Sequence, residues 1–248
     1  MKMKHISTYI SYSLILILCS SSVMAQEKKK DSAVVPSKSE RYGVRFGVDL
    51  LKIARTVYDK DYKGFEVVGD YRLTKKYYLA GEIGNENKTT DEDQVNFTTK
   101  GTFFKVGFDY NMHENWLDLE NMIHVGLRYG LSSFSQEINS YNIYNSNPYW
   151  GEIPSTAGGA NFDGLSAQWV EVVIGMKTRV FDNVFVGFSF RMNKLMSNKK
   201  PGGFDNLYIP GFNRTYDGDF GVGFNYTVSY LLPIYKKKAK LQEIENKK

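Results

Sequence analysis

Cysteine is nearly missing from this chain, histidine is scarce, and no long apolar run follows the first 25 residues. The one cysteine, Cys19, sits inside a segment that reads as a cleavable export signal: a basic start, MKMKH, the apolar run Leu14 to Leu18, and a Val23-Met24-Ala25 site with small residues at its ends. Cleavage after Ala25 leaves no thiol, which excludes disulfides and thiolate chemistry. Leu18 before the cysteine, where a small residue would be needed, argues against a lipoprotein signal. Without an apolar run near the ~20 residues of a membrane helix, any crossing of a bilayer must use strands. The two histidines after the signal, His113 and His124, leave little for acid–base chemistry and no metal cluster.

A basic stripe for nucleic acid is absent as well. The formal charge is +5, but two lysines leave with the signal. Residues 236–248 hold six lysines against two glutamates, and residues 26–40 hold four lysines against three acids, so the intervening body is −2. The excess lies in tails, not on a fold. Residues 26–40 read as a flexible periplasmic leader and residues 236–248 as a basic periplasmic tail.

Present instead is alternation. Tyr42, Val44, Phe46, Val48 and Leu50 share one face of a stretch whose other face is Gly43, Arg45, Gly47 and Asp49, the period of a strand. Seven more follow, starting near Phe65, Tyr77, Phe103, Ile123, Trp169, Val184 and Phe220. Pro36, Pro148, Pro154, Pro201 and Pro210 fall outside these stretches, and Pro233 closes the last one. Connections alternate between short (LTKK, HENWLDLE, FDN) and long (ARTVYDKDYK, ENKTTDEDQ, and segments near 133–167 and 196–218). Short periplasmic turns and long extracellular loops are the signature of an all-β, eight-stranded antiparallel up-and-down transmembrane β-barrel, here over residues 41–235. Tyr42, Tyr71, Tyr77, Tyr110 and Tyr230 all fall on the lipid-facing parity at periplasmic strand ends, as an aromatic girdle does. Both termini are then periplasmic and the barrel sits in a bacterial outer membrane.

Eight strands enclose a space that side chains fill. Charges on the inner parity must therefore pair, and Arg45, Asp49, Glu82, Lys105, Arg128, Glu171 and Arg191 are expected to form a lumenal ion-pair network, as a structural plug or as a relay. His113 falls in a periplasmic turn and His124 within the lumen as a hydrogen-bonded histidine. Neither reaches outer-leaflet lipid, so no catalytic residue is assigned. Asp219-Phe220-Gly221 and Gly221-Val222-Gly223 echo nucleotide-site fragments, but no helix follows them. The long loops hold the remaining signal. YNIYNSNPYWG and FDNLYIPGFNRTY are rich in Tyr, Asn, Gly and Pro, with Tyr144, Tyr149, Trp150, Tyr208 and Phe212 as candidate partner anchors.

The opening YGVRFGVDL, the following GFEVVGDYRLTKKYYLAGEIG and the Ala25-Gln26 junction resemble small, uncharacterised eight-stranded outer-membrane barrels of Bacteroidota, over about residues 41–235. In strand number the chain is more distantly similar to OmpA/OmpX-type barrels. The resemblance implies a fold and a location and no catalytic residue. The expectation is a non-catalytic binding or accessory subunit without cofactor or metal. Its surroundings are outer-membrane lipid, and its partner is another outer-membrane protein or a surface lipoprotein. The alternatives are a narrow channel for a small solute and a lipid-modifying enzyme.

Overall fold

A computed structural model describes residues 39–113, 120–142, 149, 156–202, 205–212 and 219–238. Eight strands close into one ring in sequence order: β1 (Ser39–Asp49), β2 (Tyr62–Arg72), β3 (Tyr77–Glu92), β4 (Val95–Asn111), β5 (Met122–Tyr141), β6 (Thr156–Phe181), β7 (Val184–Lys199) and β8 (Phe220–Lys238). Consecutive strands from β1 to β8 pair antiparallel, with registers such as Glu82 opposite Lys105 and Arg128 opposite Glu171. The fold is thus the expected up-and-down barrel. Its strands begin at Ser39 and run to Lys238, taking in the last two residues expected in the leader and the first three of the tail.

Parity behaves as a pleated wall requires. Phe46, Ile83, Phe108, Leu127, Ile174 and Phe224 are exposed on the outside, while Arg45, Glu82, Asp109, Arg128, Glu171 and Asn225 are buried inside. At one end the connections are short. LTKK occupies residues 73–76, and Asp182-Asn183 turn between β6 and β7 with Asn183 at φ 64°. Tyr77 and Tyr110 face each other at that end, ring centroids 5.4 Å apart. Tyr71 and Tyr230 keep the outer parity beside Val44 and Val184. Tyr42 departs from the expected girdle. It holds the outer parity, yet Tyr235 stacks on its ring at 5.2 Å and leaves it only 5% exposed.

The long-connection end differs more. ENKTTDEDQ is not a loop: β3 and β4 continue to Glu92 and Val95 and are joined by two residues. β5 and β6 likewise extend to Tyr141 and from Thr156, so much of the supposed loop near 133–167 is strand. A membrane-spanning strand needs ~9–11 residues, and the 26 residues of β6 project well beyond that. β8 also runs through Pro233. Its pairing with β7 ends at Tyr230 opposite Val184, so the missing proline N–H falls where β8 no longer borders β7.

The first long connection holds helix α1 (Leu50–Tyr58). Leu50, expected to be the last outward residue of strand one, is its first residue. Asp49 has extended dihedrals and its carboxylate accepts from Leu51 N at 2.9 Å, an N-cap that turns the chain out of the strand. Leu, Lys, Ala and Arg then favour the helix. Thr56 anchors it to β2, its Oγ1 accepting from Gly64 N at 2.9 Å, and the Arg55 guanidinium lies 4.1 Å from the Tyr62 ring centre.

Candidate functional site: the lumen and its mouth

Inward residues arrive in the lumen from alternate positions of neighbouring strands, so their charges meet in tiers. Toward the short-turn end, Arg45 Nε donates to Asp70 at 2.7 Å and Lys177 Nζ reaches the same carboxylate at 2.7 Å. The Arg45 guanidinium also packs between the rings of Tyr78 and Phe185 at 5.0 and 5.2 Å. Below it, Arg41 bonds Glu120 at 3.1 Å and Asn183 at 2.6 Å, tying β1 to the turns.

The middle tier is denser. Arg191 donates to Glu82 at 2.6 and 2.9 Å and to Glu171 at 3.0 Å. Lys105 lies 3.0 Å from Glu171 and 3.7 Å from Glu82, while Arg128 reaches Glu82 at 3.4 Å and Asp109 at 2.7 Å. Trp169 Nε1 adds a bond to Glu171 at 2.6 Å. All these charges are buried, and they persist because each faces opposite charge.

At the mouth, Lys52 of α1 inserts between Glu66, at 3.3 Å, and Glu86. Glu86 also accepts from Tyr62 Oη at 3.0 Å, Tyr208 Oη at 2.7 Å and Gly211 N at 3.0 Å. Residues 205–212 therefore fold into the barrel. Ile209 and Phe212 join Phe103, Phe134, Leu165 and Trp169 in one apolar cluster, with Phe212 edge-on to Trp169 at 5.7 Å. Gly211 is required here: at φ 81° it lies against the Phe103 ring, where a Cβ would collide.

Beside this plug a cavity of about 420 Å³ remains, lined by α1, by Tyr62 and Glu66 of β2, by Lys105 and Arg191 from the lumen floor, and by Val222 to Asn225 of β8. Below the middle tier the described residues leave small spaces of about 30 Å³, beside Asp70, His124 and Lys177, and about 20 Å³, beside Arg41, Arg45 and Tyr78. The described residues hold no group of three or more metal-ligating side chains of the histidine, cysteine or carboxylate type.

Residues 5–237 match a family described as a domain of unknown function, DUF6048. The chain belongs to that family. No curated protein matches it. Among solved structures it is similar to the crystal structure of Ail, the attachment invasion locus protein of Yersinia pestis. Sequence identity is 12% and the TM-score 0.39, over 78% of this chain and 99% of that one.

In this DUF6048 barrel the expected network is brought together in five of its seven members, Glu82, Lys105, Arg128, Glu171 and Arg191. Arg45 pairs one tier lower, with Asp70. Asp49 instead caps α1 and accepts from Asn225 Nδ2 at 2.6 Å. Tyr208 and Phe212, expected as surface anchors, are 3% and 0% exposed and belong to the plug, because an apolar lumen mouth buries them better than solvent does. Tyr149 is 90% exposed. Tyr144 and Trp150 lie outside the described residues. His124 is buried as expected, but its Nε2 is 3.9 Å from Asp109, beyond a hydrogen bond, and its Nδ1 has no hydrogen-bond partner among the described residues. Lys52, Glu86 and the plug contacts were missed. Lys52 falls just past the expected end of strand one, before the long connection, and Glu86 in a stretch that reads as loop.

Proposed function

We propose that this chain is a sealed outer-membrane barrel that acts by binding rather than by catalysis, with its long-loop end facing outside the cell. Support for the membrane comes from the outer face, where large apolar side chains are exposed on every strand around a closed ring. Water does not tolerate a continuous belt of this kind, whereas lipid matches it. Tyrosines at the short-turn end sit where headgroups would meet the wall.

The observation that carries the binding reading is the contrast across the lumen. Three charged tiers close the barrel from Arg41 to Lys52, while the strands beyond are lengthened and the mouth keeps a cavity. A channel would invert that arrangement. His124 lies in the half nearer the short turns, away from any outer-leaflet substrate. The exposed rim, including Val57, Tyr58, Tyr141 and Tyr149, is the surface offered to another outer-membrane protein or a surface lipoprotein. Mild-detergent capture at native expression, read by mass spectrometry, is expected to recover one such protein in stoichiometric amount. Recovery of the barrel alone would contradict the partner.

A further inference from the structure

Helix α1 turns its polar face to the barrel and its apolar face away. At about 100° per residue, Lys52, Arg55 and Thr56 share one narrow arc, while Leu50, Leu51, Ile53, Ala54, Val57 and Tyr58 fill the rest of the circumference. The polar arc is fully engaged by the wall. Lys52 pairs with Glu66 at 3.3 Å and with Glu86, the Arg55 guanidinium lies over the Tyr62 ring, and the Thr56 hydroxyl accepts from Gly64 N at 2.9 Å and donates to Gly64 O at 3.1 Å. The apolar arc is left outside. No residue of the helix is buried, and Val57 and Tyr58 are 84% and 76% exposed.

The strands on either side set the height of this helix. Its N-cap, Asp49, lies seven residues beyond Tyr42 on β1, and Tyr62, which opens β2, lies nine residues before Tyr71. At about 3.4 Å per residue and a tilt of about 40°, the two ends of the connection stand about 18 and 23 Å above the tyrosine level. The apolar band of an outer-membrane barrel is about 25 Å tall, so α1 falls at its upper edge. Outward apolar residues continue past the end of β1 on both neighbouring strands. Phe65 of β2 lies beyond the Val48–Val67 pair, and Phe224 and Val222 of β8 lie beyond the Tyr226 N–H that reaches Asp49; all three are exposed. Leu51, Ala54 and Tyr58 border the same cavity as Val222 and Phe224. Where β1 stops, the apolar face of α1 carries the belt onward.

We infer that α1 is an interfacial helix whose apolar face is covered by the outer leaflet of the membrane, at the boundary of acyl chains and headgroups. A helix of this kind lies in the plane of the interface with its apolar side among the acyl chains. Its polar side here needs no headgroup, because β2 and β3 supply the partners of Lys52, Arg55 and Thr56. The contact asked of the lipid is therefore apolar, and a neutral lipid suffices. The inference rests on the outer-membrane placement proposed above, and it narrows the rim offered to a protein partner to residues such as Tyr141 and Tyr149.

Cys19 is the chain's one thiol, so in a Cys19→Ser background each of Val57→Cys, Leu127→Cys and Tyr149→Cys takes a single fluorophore. The labelled full chains are refolded into phosphatidylcholine vesicles whose acyl chains are plain or brominated, and iodide is supplied on both sides of the bilayer. The Leu127 label, on the outer face of β5, should lose emission to brominated lipid, and the Tyr149 label to iodide. The Val57 label is expected to follow Leu127, quenched by brominated acyl chains and protected from iodide. Tyr58→Cys, on the same arc, is expected to repeat that result. Emission at Val57 and Tyr58 that is untouched by brominated lipid, or open to iodide as at Tyr149, would leave the helix in water or awaiting a protein and would overturn the inference. A Leu127 label open to iodide would overturn the membrane placement itself. With Leu127 quenched by lipid, an iodide-accessible Val57 overturns the interfacial helix alone.

Discussion

The half of the lumen nearer the short turns and the half at the mouth are built from the same alternating strands, yet they solve the burial of charge differently. In the first, Arg45, Lys105, Arg128, Lys177 and Arg191 pair with carboxylates carried by the wall itself. At the mouth the wall supplies Glu66 and Glu86, with Tyr62 of β2 donating to Glu86, but their cation and the remaining donors to Glu86 come from added pieces: Lys52 from α1, and Tyr208 and Gly211 from the inserted segment. Strand-borne pairs are fixed by register, whereas partners on a helix and a loop can leave without unzipping the barrel. On the proposed reading, the first half is the seal and the second the place where a partner binds.

The largest test of that contrast is Arg191→Met. It strips Glu82 and Glu171 of their shared guanidinium, and loss of one member of a buried pair costs about 3–5 kcal/mol. Urea unfolding in detergent should show that loss for the whole barrel. An effect below about 1 kcal/mol would mean the tier is solvated. Phe212→Ala should cost about 3 kcal/mol through lost packing on Trp169, but as local opening. Hydrogen exchange should quicken in residues 205–212 while the lower strands keep their protection. Spread of exchange through the barrel would erase the distinction between the halves. Tyr208→Phe removes the hydroxyl from Glu86, a bond to a charged group worth about 1.5–3 kcal/mol, and should raise protease cleavage in the same segment. Smallest is Thr56→Val, which frees the Gly64 N–H that holds α1 to β2. It should loosen the helix by about 1 kcal/mol, seen as faster exchange in residues 50–58 alone.

How much of this was readable beforehand follows the same division. Parity alone placed Glu82, Lys105, Arg128, Glu171 and Arg191 on the inner face, and register then had to bring them together, so this ion-pair cluster was legible. The mouth was not, for identifiable reasons. After Leu50 the alternation breaks, with Leu51 and Ile53 on the inner parity, and the segment reads as a loop; the N-cap at Asp49 makes it a helix. Residues 86–94 are polar on both faces, so the extension of β3 and β4 leaves no alternation to read. Tyr208 and Phe212 sit in a segment whose Tyr, Gly and Pro content suits a recognition loop or a plug equally. Long-range contacts to Glu86 and Trp169 choose the plug.

The central claim is that the lumen is closed below an accessible mouth. Single-channel recording of the full chain in planar bilayers tests it most directly. The expected trace is silent at both polarities of applied voltage. Reproducible conductance steps from the unaltered chain would contradict the seal and, with it, the reading of this barrel as a binding protein.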